Sequence, residues 1–269
     1  MTGSARVAIV TGAARGIGAA TALALAGEGW HVLAVDRAAD DASIPYGLAS
    51  DADLSAVVIE ASAAARSGAQ VAAFRADVRD AAALAAAVAD ADARWGGVDA
   101  AIACAGVIAG GVPQWEVPAE QEQAVLDVDL GGVLNLARAA VPALLRRPEP
   151  RSGRFLAVAS TAATRGLPML AAYCAAKAGV AGLIRALAVE LGPMGVTANA
   201  VSPGSTATAM LDESARLYGL AGAEQFASTQ PARRLLTPAE VAAVLVFLAG
   251  PASSAMTGAV VPVDGGLAL

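Results

Sequence analysis

Residues 11–18 read Thr11-Gly12-Ala13-Ala14-Arg15-Gly16-Ile17-Gly18, directly after the apolar run 7–10 and at the head of the alanine- and leucine-rich segment 16–28. An apolar run, three closely spaced glycines and a helical pattern, in that order, spell a strand, a tight turn and a helix N-terminus. In such a turn Gly12 permits the reversal, Gly16 lets the backbone approach a pyrophosphate, and Gly18 lets helix and strand pack closely. The free N–H groups of the first helical turn add an attraction for negative charge. With the required strand and helix around it, the stretch predicts a dinucleotide site that includes Arg15 and Ile17.

The same alternation continues along the chain. Strand candidates are 7–10, 32–36, 71–75, 98–103, 154–159, 196–201 and 259–263, and helix candidates are 16–28, 54–67, 81–95, 119–146, 172–191 and 238–248. The strands are continuous apolar runs, as a parallel sheet covered on both faces requires. The expected fold is therefore α/β: a Rossmann-type doubly wound parallel sheet of about seven strands with helices on both faces. No linker, composition shift or repeat divides the chain, so residues 1–269 are expected to form one catalytic domain with a substrate cap at 205–235. One connection, 38–53, exceeds the ~2–6 residues usual for a βα loop. It carries Pro45, Tyr46 and Gly47 and predicts a lid or binding loop.

Composition narrows the function. The 269 residues are 57% hydrophobic and 16% charged with a net charge of −6, enough apolar material for a core without staples. No dense Lys/Arg stretch offers phosphates a footing, which excludes nucleic acid as a partner. Cys104 and Cys174 are far apart and His31 is the only histidine, so neither a zinc site nor a Ser-His triad is expected. Both cysteines read as buried small apolar groups in a reducing compartment. The apolar run 7–10 is cut by Gly12 and Arg15, unlike a signal peptide. Residues 241–263 are uncharged but broken by Gly250-Pro251 and Ser253-Ser254, which suits a core helix, turn and strand better than a membrane span. The expectation is a cytoplasmic protein with no membrane partner.

Two further positions carry chemistry. Asp36 ends the second strand, where a carboxylate accepts hydrogen bonds from ribose hydroxyls and repels a 2′-phosphate, favouring NAD over NADP. Arg15 and Arg37 are the groups that pair with a 2′-phosphate in the opposite reading. In Tyr173-Cys174-Ala175-Ala176-Lys177 the tyrosine and lysine lie four apart on a helix and share a face. Bringing a phenol from ~10 toward neutrality takes ~3–4 kcal/mol. An ammonium ~4 Å away supplies up to ~4 kcal/mol at an effective dielectric of ~20. Such a phenolate accepts an alcohol's proton while hydride leaves carbon for NAD. Taken alone, the pair also fits an ordinary solvated helix face.

The glycine-rich 11–18, Tyr173 and Lys177 with Ser160 thirteen residues before the tyrosine, Val201-Ser202-Pro203-Gly204 and Val263-Asp264-Gly265-Gly266 together resemble the short-chain dehydrogenase/reductase family. The match runs the length of the chain. The resemblance implies Tyr173 as general acid/base, Ser160 holding the substrate oxygen, and Lys177 binding the nicotinamide ribose and lowering the tyrosine pKa. It implies Asp77 and Val78 beside the adenine, Ala105 and Gly106 in backbone contact with the cofactor, and Pro203, Gly204, Thr206 and Thr208 at the nicotinamide end. The sequence departs from the family twice. Ala103-Cys104-Ala105-Gly106 stands where the family has Asn-Asn-Ala-Gly, and Asp129 stands where it has the helical asparagine of the catalytic tetrad. A carboxylate there accepts but does not donate, and its charge raises a nearby phenol pKa. Ile44-Pro45-Tyr46-Gly47-Leu48-Ala49 with Asp51-Ala52-Asp53-Leu54 resembles the insertion of the mycofactocin-associated, carveol-dehydrogenase-like members. That likeness implies NAD held under a lid over its adenosine half and reoxidised by an external redox carrier.

The segment after Gly204 supplies Met210, Leu211, Leu217, Tyr218, Leu220 and Phe226, and Val107, Ile108, Trp115 and Leu167 are expected opposite them. Apolar walls predict a small hydrophobic secondary alcohol or ketone, such as a terpenoid or steroid. The competing substrate is a 3-oxoacyl thioester on an acidic carrier, for which Arg138, Arg146, Arg147, Arg151 and Arg154 offer a docking patch, though a solvated helix end explains these arginines more cheaply. A catalytically weak dinucleotide sensor is the alternative from another class. The resemblance further implies a homotetramer that pairs helices 119–146 and 172–191, where Gly179, Ala181, Gly182, Ala186 and Ala188 permit close contact.

Overall fold

Strands β1 (Val7–Thr11), β2 (His31–Asp36), β3 (Val71–Arg75), β4 (Ala100–Ala103), β5 (Gly153–Val158), β6 (Val196–Pro203) and β7 (Val260–Val263) form one sheet in the order β3-β2-β1-β4-β5-β6-β7. Every pairing is parallel. These and the following features come from a computed structural model, which describes residues 5–66 and 68–269. The expected Rossmann-type sheet is thus present, with helices on both faces. Val7 and Ile9 of β1 enter one apolar cluster with α3 (Ala81–Trp95), α5 (Gly132–Arg146) and α6 (Ala171–Leu191). Ala8 and Val10 enter the opposite cluster with α1 (Gly16–Gly27), α2 (Asp51–Ala64) and α8 (Pro238–Ala249). Because alternate residues are buried on opposite sides, the strand reads as an unbroken apolar run.

The sequence order reverses beside β1, whose neighbours are β2 and β4. Such a switch point leaves a crevice at the carboxyl ends of the strands.

Several boundaries differ from the sequence reading. The expected helix 119–146 is α4 (Ala119–Leu126), a π turn at Asp127–Gly131, and α5. Gly132 follows the π turn, and a Cβ there would lie 2.6 Å from Val78 Cγ2. The second helix starts earlier than expected. Ser50 and Asp53 form a capping box, so the long connection ends at Ser50 rather than Asp53. Ser67, taken as the end of that helix, lies outside the described residues, as do residues 1–4. Residues 241–263 fold as the end of α8, a turn and β7. The helical runs 119–146 and 171–194 are long and apolar enough to cross a membrane by length and composition. In this fold Leu136, Ala140, Val180 and Ile184 bury against the sheet.

The five arginines weighed as a docking patch have partners inside the fold. Arg154 is buried against the Gly153 and Gly250 carbonyls, Arg146 pairs with Asp92 at 2.5 Å, Arg147 with Asp99 at 2.9 Å and Arg151 with Glu149 at 2.7 Å. Arg138 donates to Asn135. Cys104 and Cys174 are half-buried rather than fully enclosed, Cys104 at the rim of the cleft and Cys174 accepting the Leu167 N–H.

Candidate active site

A cleft of about 1180 Å³ opens at the switch point. The glycine turn forms its floor. Gly12 and Gly16 have φ of +66° and +58°, and a Cβ on Gly12 would sit 2.6 Å from Ala105 Cα. A Cβ on Gly18 would lie 2.0 Å from the Gly12 carbonyl oxygen. Helix α1 begins after Arg15 with no side-chain cap and no acid in its first turn. Its leading N–H groups therefore keep their donor capacity for an anionic group in the cleft. This is a cradle that a pyrophosphate fits. Ile17 borders it beside the glycines.

At one end the Asp36 carboxylate is fixed by the N–H groups of Ala14 (3.0 Å) and Ala38 (2.9 Å). Arg37 pairs with Asp41 and, at 3.5 Å, with Asp77. Arg79 closes the ring, 2.7 Å from Asp41 and 2.6 Å from Asp77. Arg15 donates to the Gly47 carbonyl at 3.0 Å and lies 5.8 Å from the centre of the Tyr46 ring. Both arginines that sequence offered to a 2′-phosphate are thus engaged by residues 37–50. Burial opposes ionisation of Asp41, but hydrogen bonds from Ser43 and the charges of Arg37 and Arg79 hold it well below the usual carboxylate range. Asp41 and Arg79 were not singled out from sequence, where nothing links residues so far apart. Val78 is steadied through its carbonyl by Asn135 at 3.0 Å.

At the other end Ser160 follows β5, its hydroxyl accepting the Ala162 N–H at 3.1 Å. Tyr173 and Lys177 project from the first turns of α6, and both are buried. Lys177 Nζ donates to the Val158 carbonyl at 3.2 Å and lies 5.5 Å from the centre of the Tyr173 ring. Asp129, on the π turn, lies behind the cleft wall. Its Oδ1 accepts the Val107 N–H at 2.8 Å, and its Oδ2 is 3.1 Å from Lys177 Nζ. That approach is an ion pair without the alignment of a hydrogen bond, which leaves Oδ2 without a directed donor. Gly106 faces the pair: a Cβ there would stand 3.4 Å from both Asp129 Oδ2 and Lys177 Nζ.

The net shift of the Tyr173 phenol is upward, although Lys177 and Asp129 each act on it in the expected sense. Burial raises it, and Asp129 adds to the rise, while Lys177 and the Ser160 hydroxyl pull the other way. The lysine's charge is shared with a carboxylate that the two-residue arithmetic left out. Burial likewise raises Asp129, and it opposes the charged form of Lys177, whose value Asp129 nevertheless carries above the ordinary one.

The end of β6 and the loop after it bring Pro203, Gly204, Thr206 and Thr208 to the same cleft. Buried Gln230, missed in the sequence, shapes it by accepting the Ser205 N–H at 2.8 Å and donating to the Arg234 carbonyl at 2.6 Å. Thr208 caps α7 (Ala209–Leu217), a helix absent from the sequence reading. Val107, Ile108, Leu167, Met210, Leu211, Tyr218, Leu220 and Phe226 line the apolar part as expected. Trp115 does not, being 85% exposed in a short turn before α4. Leu217 packs instead into the core beneath, against Gly111. His31 stacks on Trp95 and accepts the Gln70 N–H, far from any nucleophile.

Comparison with known proteins agrees with this geometry. The profile of a family described as enoyl-(acyl carrier protein) reductase matches residues 12–268. The short-chain reductase protein NovJ of Streptomyces niveus is 39% identical over 97% of this chain and 93% of its own length. Among solved structures, carveol dehydrogenase from Mycobacterium avium in complex with NAD superposes with a TM-score of 0.91 at 30% identity, covering 98% of both chains. Levodione reductase superposes with a TM-score of 0.88 at 31% identity, again over 98% of both.

Proposed function

The chain belongs to the short-chain dehydrogenase/reductase family, and from that premise we propose that it is an NAD-dependent oxidoreductase interconverting a small hydrophobic secondary alcohol and its ketone. The observation that carries this reading is the convergence of Ser160, Tyr173 and Lys177 where the cleft becomes apolar. When bound, NAD supplies the hydride acceptor. The protein's own groups do the rest. The glycine turn and α1 receive the pyrophosphate, Asp36 receives the ribose hydroxyls, and Asp77 and Val78 border the adenine. Ser160 holds the substrate oxygen, and the Tyr173 hydroxyl exchanges its proton. Lys177 steadies the phenolate and Asp129 holds Lys177. Ala105, Gly106, Pro203, Gly204, Thr206 and Thr208 confine the nicotinamide end.

The finer reading is a mycofactocin-type enzyme in which residues 37–50 retain NAD and an external redox carrier reoxidises it. The Arg15 and Tyr46 contacts of that loop support it. We read the whole chain as one cytoplasmic catalytic domain with residues 205–235 as its cap. We further read it as a homotetramer, because α6 leaves Gly182 and Ala186 exposed along one side with Ala175 and Ala178, although Ala181 and Ala188, also expected at that contact, are buried in the core and Gly179 faces Leu130. A 3-oxoacyl thioester substrate is the second reading, favoured by the description of the matching family and opposed by the paired arginines. The test is purification without added nucleotide, denaturation and mass spectrometry of what is released, followed by turnover assays. About one NAD per chain, with turnover of hydrophobic alcohols by artificial electron acceptors, is the expected result. Faster reduction of acetoacetyl thioesters reverses the ranking, and binding of NAD with no turnover of any alcohol or thioester returns the sensor.

A further inference from the structure

Residues 104–109 leave β4 along the cleft, with Ala105 against Gly12, Gly106 beside Asp129 and Lys177, and Val107 and Ile108 on the apolar wall. Two consecutive amides of this segment are held by side chains of different origin. The Val107 N–H donates to Asp129 Oδ1 at 2.8 Å, and the Ile108 N–H donates to Tyr46 Oη at 3.2 Å. Asp129 belongs to the π turn, whereas Tyr46 belongs to the long connection 37–50. The connection does not simply cover the adenosine end. Its Ile44, Tyr46 and Leu48 share an apolar cluster with Val107, Ile108 and Tyr173. On its other side the Tyr46 ring lies under the Arg15 guanidinium, which is itself tied to the Gly47 carbonyl. One tyrosine therefore bridges the glycine turn and the substrate wall. Burial above all, with the charges of Asp129 and Glu213, pushes its phenol up to about 12, so Oη is a neutral acceptor at physiological pH.

We propose that Tyr46 is a positioning residue for the substrate wall: by pinning Ile108 while Asp129 pins Val107, it makes closure of the 37–50 loop over the nucleotide and completion of the apolar wall a single event. The inference rests on reading the cleft as a site for a hydrophobic alcohol. A loop that sets both walls couples them, and by linkage each ligand then tightens the other. An insertion that covered only adenosine would leave alcohol affinity untouched.

Tyr46→Phe removes the acceptor and keeps the ring. Hydrogen exchange resolved at single amides in the protein as purified, with whatever nucleotide it retains, is expected to show Ile108 exchanging about fivefold faster, the scale of one neutral hydrogen bond, with Val107 within about twofold of the parent. In turnover, KM for a hydrophobic secondary alcohol is expected to rise several-fold with kcat within about twofold, because the wall binds the substrate and does not touch the proton being moved. Unchanged exchange at Ile108 overturns the proposal. So does equal acceleration at Val107 and Ile108, which marks general loosening, or a fall in kcat at constant KM. A parent protein that turns over no alcohol defeats the reading of the site on its own, and the two amides still decide whether Tyr46 holds the wall.

Discussion

Two clusters of aspartates with cationic side chains border the two ends of the cleft, Lys at one and Arg at the other, and they behave in opposite ways. At the reacting end the Asp129 and Lys177 side chains are 0% and 4% exposed, and Asp129 receives one backbone N–H and one ammonium. At the adenosine end Asp41 and Asp77 interlock with Arg37 and Arg79, with 10% to 33% of each side chain in water. Burial dominates the first carboxylate and raises its pKa; donors outnumber the burial cost at Asp41 and lower it. The number of donors aimed at a carboxylate, more than its distance from a cation, sets the direction. A sparsely satisfied buried pair constrains geometry strongly and tolerates loss of a partner badly. A partly exposed ring of four is individually weak and collectively shapes a loop.

The contrast can be broken in order of expected effect. Tyr173→Phe removes the group that exchanges the proton, and turnover is expected to fall by about a thousandfold while NAD is retained, read by steady-state kinetics and by mass spectrometry of released nucleotide. Lys177→Met strands the Asp129 carboxylate in the interior, with an expected loss of ~3–5 kcal/mol in denaturant unfolding. Asp129→Asn keeps an acceptor for Val107 but leaves the ammonium without its counter-charge, so a smaller loss of ~1–3 kcal/mol is expected. Its turnover at neutral pH is expected to hold or rise. The acid limb of alcohol oxidation should move to lower pH, because Asp129 no longer raises the Tyr173 phenol. A collapse of turnover in this well-folded variant would give the carboxylate a role of its own.

The clusters should also fail at opposite ends of the pH scale. Folded values of Tyr173 and Lys177 lie above their ordinary ones, so their contribution is complete below pH ~10 and is lost as pH rises through the folded values. Asp129 acts in the same sense from lower pH. Asp41 and Asp77 are depressed, so theirs is present above pH ~4 and lost as pH falls through the folded values. Thermal melts across pH should therefore show the Lys177→Met deficit shrinking in alkali. The smallest effect is expected from Asp41→Asn, less than ~1 kcal/mol at neutral pH and shrinking below pH ~4.

Much of this site was readable from local pattern. The glycine turn, Asp36 at a strand end and the four-residue spacing of Tyr173 and Lys177 each follow from short-range geometry, and the structure gathers them around one cleft. The misreadings share a cause. Trp115 looked like a wall residue because it is large and apolar, yet it lies outside on an exposed turn. A docking patch at 138–154 could be weighed at all because the acids of Arg146 and Arg147, Asp92 and Asp99, are remote in sequence. The tyrosine arithmetic counted one lysine and not the burial of the pair, and the opposing charge of Asp129 entered only through the family resemblance.

The sequence by itself determined the parallel sheet and the glycine turn, because helix and strand periodicity and loop glycines act over a few residues, while Ser160, Tyr173 and Lys177 were picked out by the family resemblance. Only the tertiary structure decided which charges meet. Asp129 reaches Lys177, Asp41 reaches Arg79 and Tyr46 reaches Ile108 across chain separations that no local pattern encodes. The directions of the pKa shifts follow from those meetings and from burial, for both depend on what surrounds a side chain in space.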